Sequence, residues 1–267
     1  MKSATEQSIS NDFELVGRTS AKLASATFED SLSERRDTIK KSKMLKILFT
    51  QLNPHAREIS KIRCLAIGSF NEEFAALYQL ALLLELVELL GEDKECPLRV
   101  SVYDPVFTDA DKKFIETLGT SWSVDEKSPW DSEDDSKVLF FLPHAPLDLT
   151  ERIVIAEEPR ILLANHIVKH VDRYTKLQLF QKYPVLAKLN QALAHNDAHK
   201  DSEFKPFMSK RNRRKQKNKV QQDTIDYDQI KSYFKSVEIL TDFDNGDLLI
   251  DQPWINSFSD MALHEIK

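Results

Sequence analysis

Between residues 62 and 164 the chain alternates two patterns. Nearly uninterrupted apolar runs occur at 62–67 (IRCLAI), 98–103 (LRVSVY), 138–142 (VLFFL) and 161–164 (ILLA), and the stretches between them space their apolar residues at helical intervals. Runs of that length predict strands, and strands alternating with helical segments predict parallel pairing through crossover helices. VLFFL leaves no polar position for a wetted face, so it is expected at the centre of the sheet, covered on both sides. A fifth candidate strand, 237–240, arrives late in the sequence. The expected fold class is α/β: a three-layer Rossmann-like domain with a mostly parallel sheet flanked by helices.

Residues 1–35 are polar and mixed in charge and read as a loosely ordered arm, ahead of a single α/β domain over 36–267. Ile39, Met44, Ile47 and Leu48 then recur at helical spacing and predict one amphipathic helix across 36–52. Ser69 and Glu72 have the spacing of a capping box, which would start the helix FAALYQLALLLELVELL and let it stop at Gly91. That helix is apolar around nearly its whole circumference, with Glu85 and Glu88 as relief, so it is expected between the sheet and another element. Its longest uncharged run is 74–84, too short to cross a bilayer, which needs about 20 residues. Thr108 and Asp111 repeat the capping pattern before a helix that would end at Gly119.

Composition narrows the chemistry. Five glycines in 267 residues is about a quarter of the ordinary share, and none lie close together. The glycine-rich phosphate loops of nucleotide binders are therefore absent. Cys64 and Cys96 form no CxxC pair, and the start MKSATEQSISND has no apolar export core, which agrees with a reducing compartment. Two segments read as surface insertions: 125–135, with six carboxylates, and a basic stretch at about 196–222, centred on KRNRRKQKNK. Lys210, Arg211, Arg213, Arg214, Lys215, Lys217 and Lys219 would carry any contact with nucleic acid, or serve as a nuclear localisation signal. The net charge of −6 argues against a dedicated nucleic-acid binder. The expected partners are proteins rather than membrane, in the cytoplasm with the nucleus as a second location, and no cofactor is expected.

Ligands of open parallel sheets bind outside the carboxyl ends of the strands. The residues that follow the four strands are Gly68 and Ser69, Asp104, His144 and Asn165. These five are the candidate pocket. Each also has an ordinary explanation, because strand ends are polar wherever they enter solvent. His144, set between Pro143 and the Ala145-Pro146 pair, is the best candidate for an acid/base or ligand-binding role, and a loop-orienting hydrogen bond is its structural alternative. The pairs His166/His170 and His195/His199 lack the companion Glu or Cys of a zinc site, and 242–253 lacks the glycine and acid positions of a calcium loop. No nucleophile and base can be assembled from spacing.

Gly68-Ser69, Gln79-Leu80-Ala81, Tyr103-Asp104-Pro105 and Pro143-His144, in this order, resemble the Sensitivity to Red Light Reduced family over roughly residues 40–170. The terminal INSFSDMALHEI is similar to the family's closing segment, and the size and basic insertion resemble a fungal member of the benomyl-resistance type. Ala145 stands where many members have Cys, and Leu163-Ala164-Asn165-His166 where many have Gly-Asn-Ser-Phe. The resemblance implies a regulatory protein without established enzymatic activity. It links such proteins to microtubule-related processes in fungi, to circadian and light input in plants and to haem biosynthesis in animals. The competing reading is an enzyme or small-ligand sensor that uses the strand-end crevice.

Overall fold

The computed structural model describes residues 27–92, 94–125, 137–200 and 225–267. Residues 1–26, most of the acidic segment and the whole basic run 210–219 lie outside the described residues. Seven strands form one sheet: β1 (Lys61–Leu65), β2 (Arg99–Tyr103), β3 (Trp122–Val124), β4 (Val138–Leu142), β5 (Ile161–Asn165), β6 (Val237–Thr241) and β7 (Met261–Ile266). Their order is β3-β2-β1-β4-β5-β7-β6. The first five are parallel, and β7 runs antiparallel to both β5 and β6. The α/β expectation holds, and VLFFL is the central strand, buried at all five positions.

Nine α-helices cover the sheet among the described residues. They are α1 (Phe28–Lys40), α2 (Lys43–Leu52), α3 (Phe74–Gly91), α4 (Asp109–Thr117), α5 (Leu147–Ala156), α6 (Ile167–Val171), α7 (Lys176–Lys182), α8 (Pro184–Lys200) and α9 (Ile255–Phe258). Strand side chains alternate between two cores, as period-two geometry requires. Cys64, Leu139, Phe141 and Leu163 join the core under α1, α2 and α3. Leu65, Phe140, Leu142 and Leu162 join the core under α5, α6 and α8. The helix α3 is about 27 Å long and has α1 and α9 packed on it. Glu85 does not relieve it by reaching water, because this side chain is buried and paired with Arg36 at 2.5 Å.

Three local expectations are corrected. The single helix over 36–52 is two helices: Thr27 and Asp30 form a capping box that starts α1 at Phe28, and Ser42 caps α2. Residues 28–35 are therefore helix and not part of a loose arm. The capping box of Ser69 and Glu72 does not form. The helix α3 begins at Phe74 behind Glu73 with no side-chain cap, because the Ser69 hydroxyl is already committed to Asp111. The late candidate 237–240 is a strand, β6, at the sheet edge, and a further strand, β7, inserts between it and β5.

Candidate functional site

From β1 the chain moves outward to β2 and β3, then returns to β4 on the other side of β1. The point where strand order reverses, between the carboxyl ends of β1 and β4, is where such sheets open a crevice. Gly68 and Ser69 stand on one side of it and His144 on the other.

Gly68 has φ +76°, a left-handed conformation that glycine adopts without strain, and an added Cβ would come within 3.2 Å of the Ala76 side chain. Its N–H donates to Asp104 Oδ2 at 2.7 Å, while Asp104 Oδ1 accepts from Val106 N at 3.0 Å. The Asp104 carboxylate thus binds the loop after β1 to the bend after β2. Ser69 Oγ donates to Asp111 Oδ2 at 2.7 Å. Asp111 is fully buried and also accepts from Asn71 and from the backbone and hydroxyl of Thr108. Burial pushes its pKa up, but the hydrogen bonds from Asn71, Ser69 and Thr108 outweigh that and hold it below the usual carboxylate value.

His144 is exposed, and its Nε2 lies 2.9 Å from the carbonyl oxygen of Asn256. A carbonyl only accepts, so Nε2 carries the proton and donates. Asn165 Nδ2 donates to Ala145 O at 3.4 Å and lies 3.3 Å from His170 Nδ1. The structure therefore joins Gly68 to Asp104 and Asn165 to the turn that holds His144. Among the described residues no hydrogen bond links His144 or Asn165 to Gly68, Ser69 or Asp104. His166 caps α6, its Nδ1 accepting from Lys169 N at 3.5 Å, so of the His166/His170 pair only His170 stands within the helix.

Sequence reasoning missed what fills the crevice. From α3, Gln79 Nε2 donates to Ser257 O at 3.1 Å; from the turn after β4, His144 holds Asn256 O. The two bonds pin α9 across the crevice from both sides, with Trp254 and Phe258 buried in the core beside α3. Gln79 belongs to the Gln79-Leu80-Ala81 motif, and its polarity inside an apolar helix was the available signal. Arg63 was missed as well. It is fully buried on β1, with Nε 2.8 Å from Glu157, and Nη1 2.6 Å from Asp125 and 2.7 Å from Ser101 Oγ. A guanidinium in an apolar run needs such partners.

Two clefts, about 710 and 1160 Å³, lie at the opposite, amino edge of the sheet, and none of the five candidate residues lines either.

The family model described as the SRR1 domain matches residues 36–265. An SRR1-like protein from Drosophila melanogaster is 28% identical over 122 residues, which are 45% of this chain. The matched stretch covers 42% of that relative's length. No solved structure matches the chain. Since the family model runs from within α1 to β7 and takes in the whole of the sheet and the crevice with its tethers, the chain belongs to the SRR1 domain family.

Proposed function

We propose that this chain is a non-enzymatic regulatory protein that acts through protein partners, with the microtubule-related physiology of a fungal, benomyl-resistance-type member. The observation that carries the reading is the crevice between β1 and β4. The α9 segment lies across it, and three of the polar side chains around it are spent within the fold: Asp104 on Gly68, Ser69 on Asp111, His144 on Asn256. Groups already satisfied within the fold hold loops in place, and chemistry on a substrate would need them aimed at open space. The protein works in the cytoplasm and the nucleus in this reading, with 210–219 as the localisation signal.

A second reading is favoured by three atoms at the same edge. Asn165 Oδ1, Trp254 Nε1 and Ser257 Oγ are buried and have no hydrogen-bond partner among the described residues. A small polar ligand that satisfies them would make the crevice a sensor site. A thermal-shift screen of metabolites against the full chain decides between the two. The regulatory reading expects no stabilising hit that depends on Ser257, and a stoichiometric partner in crosslinked cell extracts. A ligand that raises Tm, and fails to do so with the Ser257→Ala variant, overturns it in favour of the sensor.

A further inference from the structure

The amino edge of the sheet carries a feature that the crevice reading does not use. The two clefts there share Phe49, Leu89, Glu92 and Pro97, so they are lobes of one groove. The smaller lobe, about 710 Å³, falls in the range that encloses most of a small organic ligand, about 300–1000 Å³ for a typical site, and the larger, about 1160 Å³, leaves room beyond it. Apolar surface comes from Phe49 on α2 and from Leu89 and Leu90 at the end of α3. Its walls are tied together: Lys94 Nζ donates to Ala56 O at 2.7 Å, and Arg99 N to Ser60 O at 3.2 Å.

Charge in the groove is unevenly satisfied. Glu85 and Glu88 are engaged by Arg36 and Lys40. Arg57, in the turn before β1, and Arg99, the first residue of β2, are both exposed in the groove, and no ion pair holds either guanidinium among the described residues. A guanidinium fork matches a carboxylate in two parallel hydrogen bonds, and apolar surface beside it rewards a ligand that carries an apolar body. Glu92 and Glu95 line the same groove from the α3–β2 connection, and neither is paired with these arginines. They repel a second anionic group placed beside them, so the groove suits a ligand with a single carboxylate at the arginines.

We propose that this groove is a binding site for a monocarboxylate with an aromatic or aliphatic body, held by Arg57 and Arg99 over Phe49 and Leu89. The proposal is independent of what the opposite edge does.

The groove contains its own reporter. Cys96 is exposed in it, whereas Cys64 is fully buried and burial pushes its thiol pKa well up, which leaves Cys96 as the reactive thiol. Full-length protein is alkylated with neutral N-ethylmaleimide in the presence of naphthoate, and naphthoate binding is measured in parallel by equilibrium dialysis. The expected result is saturable protection of Cys96 by naphthoate and none by naphthylmethanol or naphthylmethylammonium. The Arg57→Gln/Arg99→Gln double variant should keep its Tm and bind naphthoate about tenfold more weakly, which is about 1.4 kcal/mol. Absence of binding by dialysis, equal protection by the neutral or cationic analogue, or an unchanged affinity in the double variant would overturn the proposal.

Discussion

Gln79 and Ser257 lie 178 residues apart in sequence, and a 3.1 Å hydrogen bond from the Gln79 amide to the Ser257 carbonyl joins them. Both residues are buried, so the bond sits in low dielectric and its loss leaves the carbonyl without water. The partner tether, His144 to Asn256, is at the surface, where water can replace either group.

This difference predicts unequal mutants. Gln79→Ala should cost about 1–3 kcal/mol, the penalty for an unsatisfied buried group and the space left behind. His144→Ala should cost less than about 1 kcal/mol. Urea unfolding of both variants checks the order, and hydrogen exchange at 254–258 should rise in each. A His144→Ala protein that is stable and normally abundant yet inactive in cells would favour the sensor reading of the crevice.

His264 predicts the pH dependence of stability. Its Nδ1 donates to Leu162 O at 3.2 Å, and its Nε2 accepts from Ile167 N at 3.4 Å, so both ring nitrogens are used by the neutral form. Burial lowers its pKa from 6.5 to about 4. A depressed histidine binds its proton more tightly in the unfolded chain, so its contribution is complete above pH 6.5 and is lost as the pH falls toward 4. The loss amounts to about 3 kcal/mol across that window. Burial also lowers the pKa of His166 and His170, which adds in the same direction. Unfolding midpoints between neutral pH and about pH 4.5 should fall, and less so in a His264→Gln variant.

Asp111 is expected to be a costly polar position. Asp111→Ala leaves the Thr108 cap of α4 in place, but it removes the carboxylate half of the capping box and strands the donors of Ser69, Asn71 and Thr108 at once, which predicts a loss of about 3 kcal/mol. Asp111→Asn keeps the shape and should recover part of it. Because this carboxyl titrates below its ordinary value of 3.8, the stability it supplies is present above that pH and is lost as the pH falls further. Chemical denaturation of both variants at neutral pH is the check.

Phe140 and Leu83 test the two cores. Both are fully buried, one on the central strand and one on α3. Truncation of either to Ala should cost about 2–5 kcal/mol in urea unfolding. A loss below about 1 kcal/mol at both would contradict the packing described above.

Much of the architecture was legible because it depends on local pattern. Four apolar runs gave four strands, and the Thr108/Asp111 spacing gave a true capping box. What stayed hidden depends on distant partners. The start of α8 has its Val185 and Leu186 N–H groups bound by Glu151 of α5, a cap that no neighbouring residue announces. The Ser69 hydroxyl had two futures, and a carboxylate 42 residues away decided between them. Strand β3 has three residues, too few for a period, and in β7 the polar His264 and Glu265 interrupt the apolar signal although all six positions are buried. The candidate site was legible as a set of strand ends. The segment that covers it was legible only as a closing motif with no assigned place.

Arg63 also constrains how the sheet can be assembled. Its side chain lies on the α5 side of β1, and its carboxylates come from Asp125, 62 residues on, and from Glu157 at the end of α5. If β1 slipped by one residue against its neighbours, every side chain would change face, and the guanidinium would enter the opposite core among Leu80, Leu83 and Phe141 with no counter-ion. Several kcal/mol of ion desolvation would then stand against the misaligned sheet. The charge acts as an alignment key: it fits only when β1, β3 and α5 have all reached their native positions, and it discriminates against near-native pairings that an all-apolar strand would tolerate.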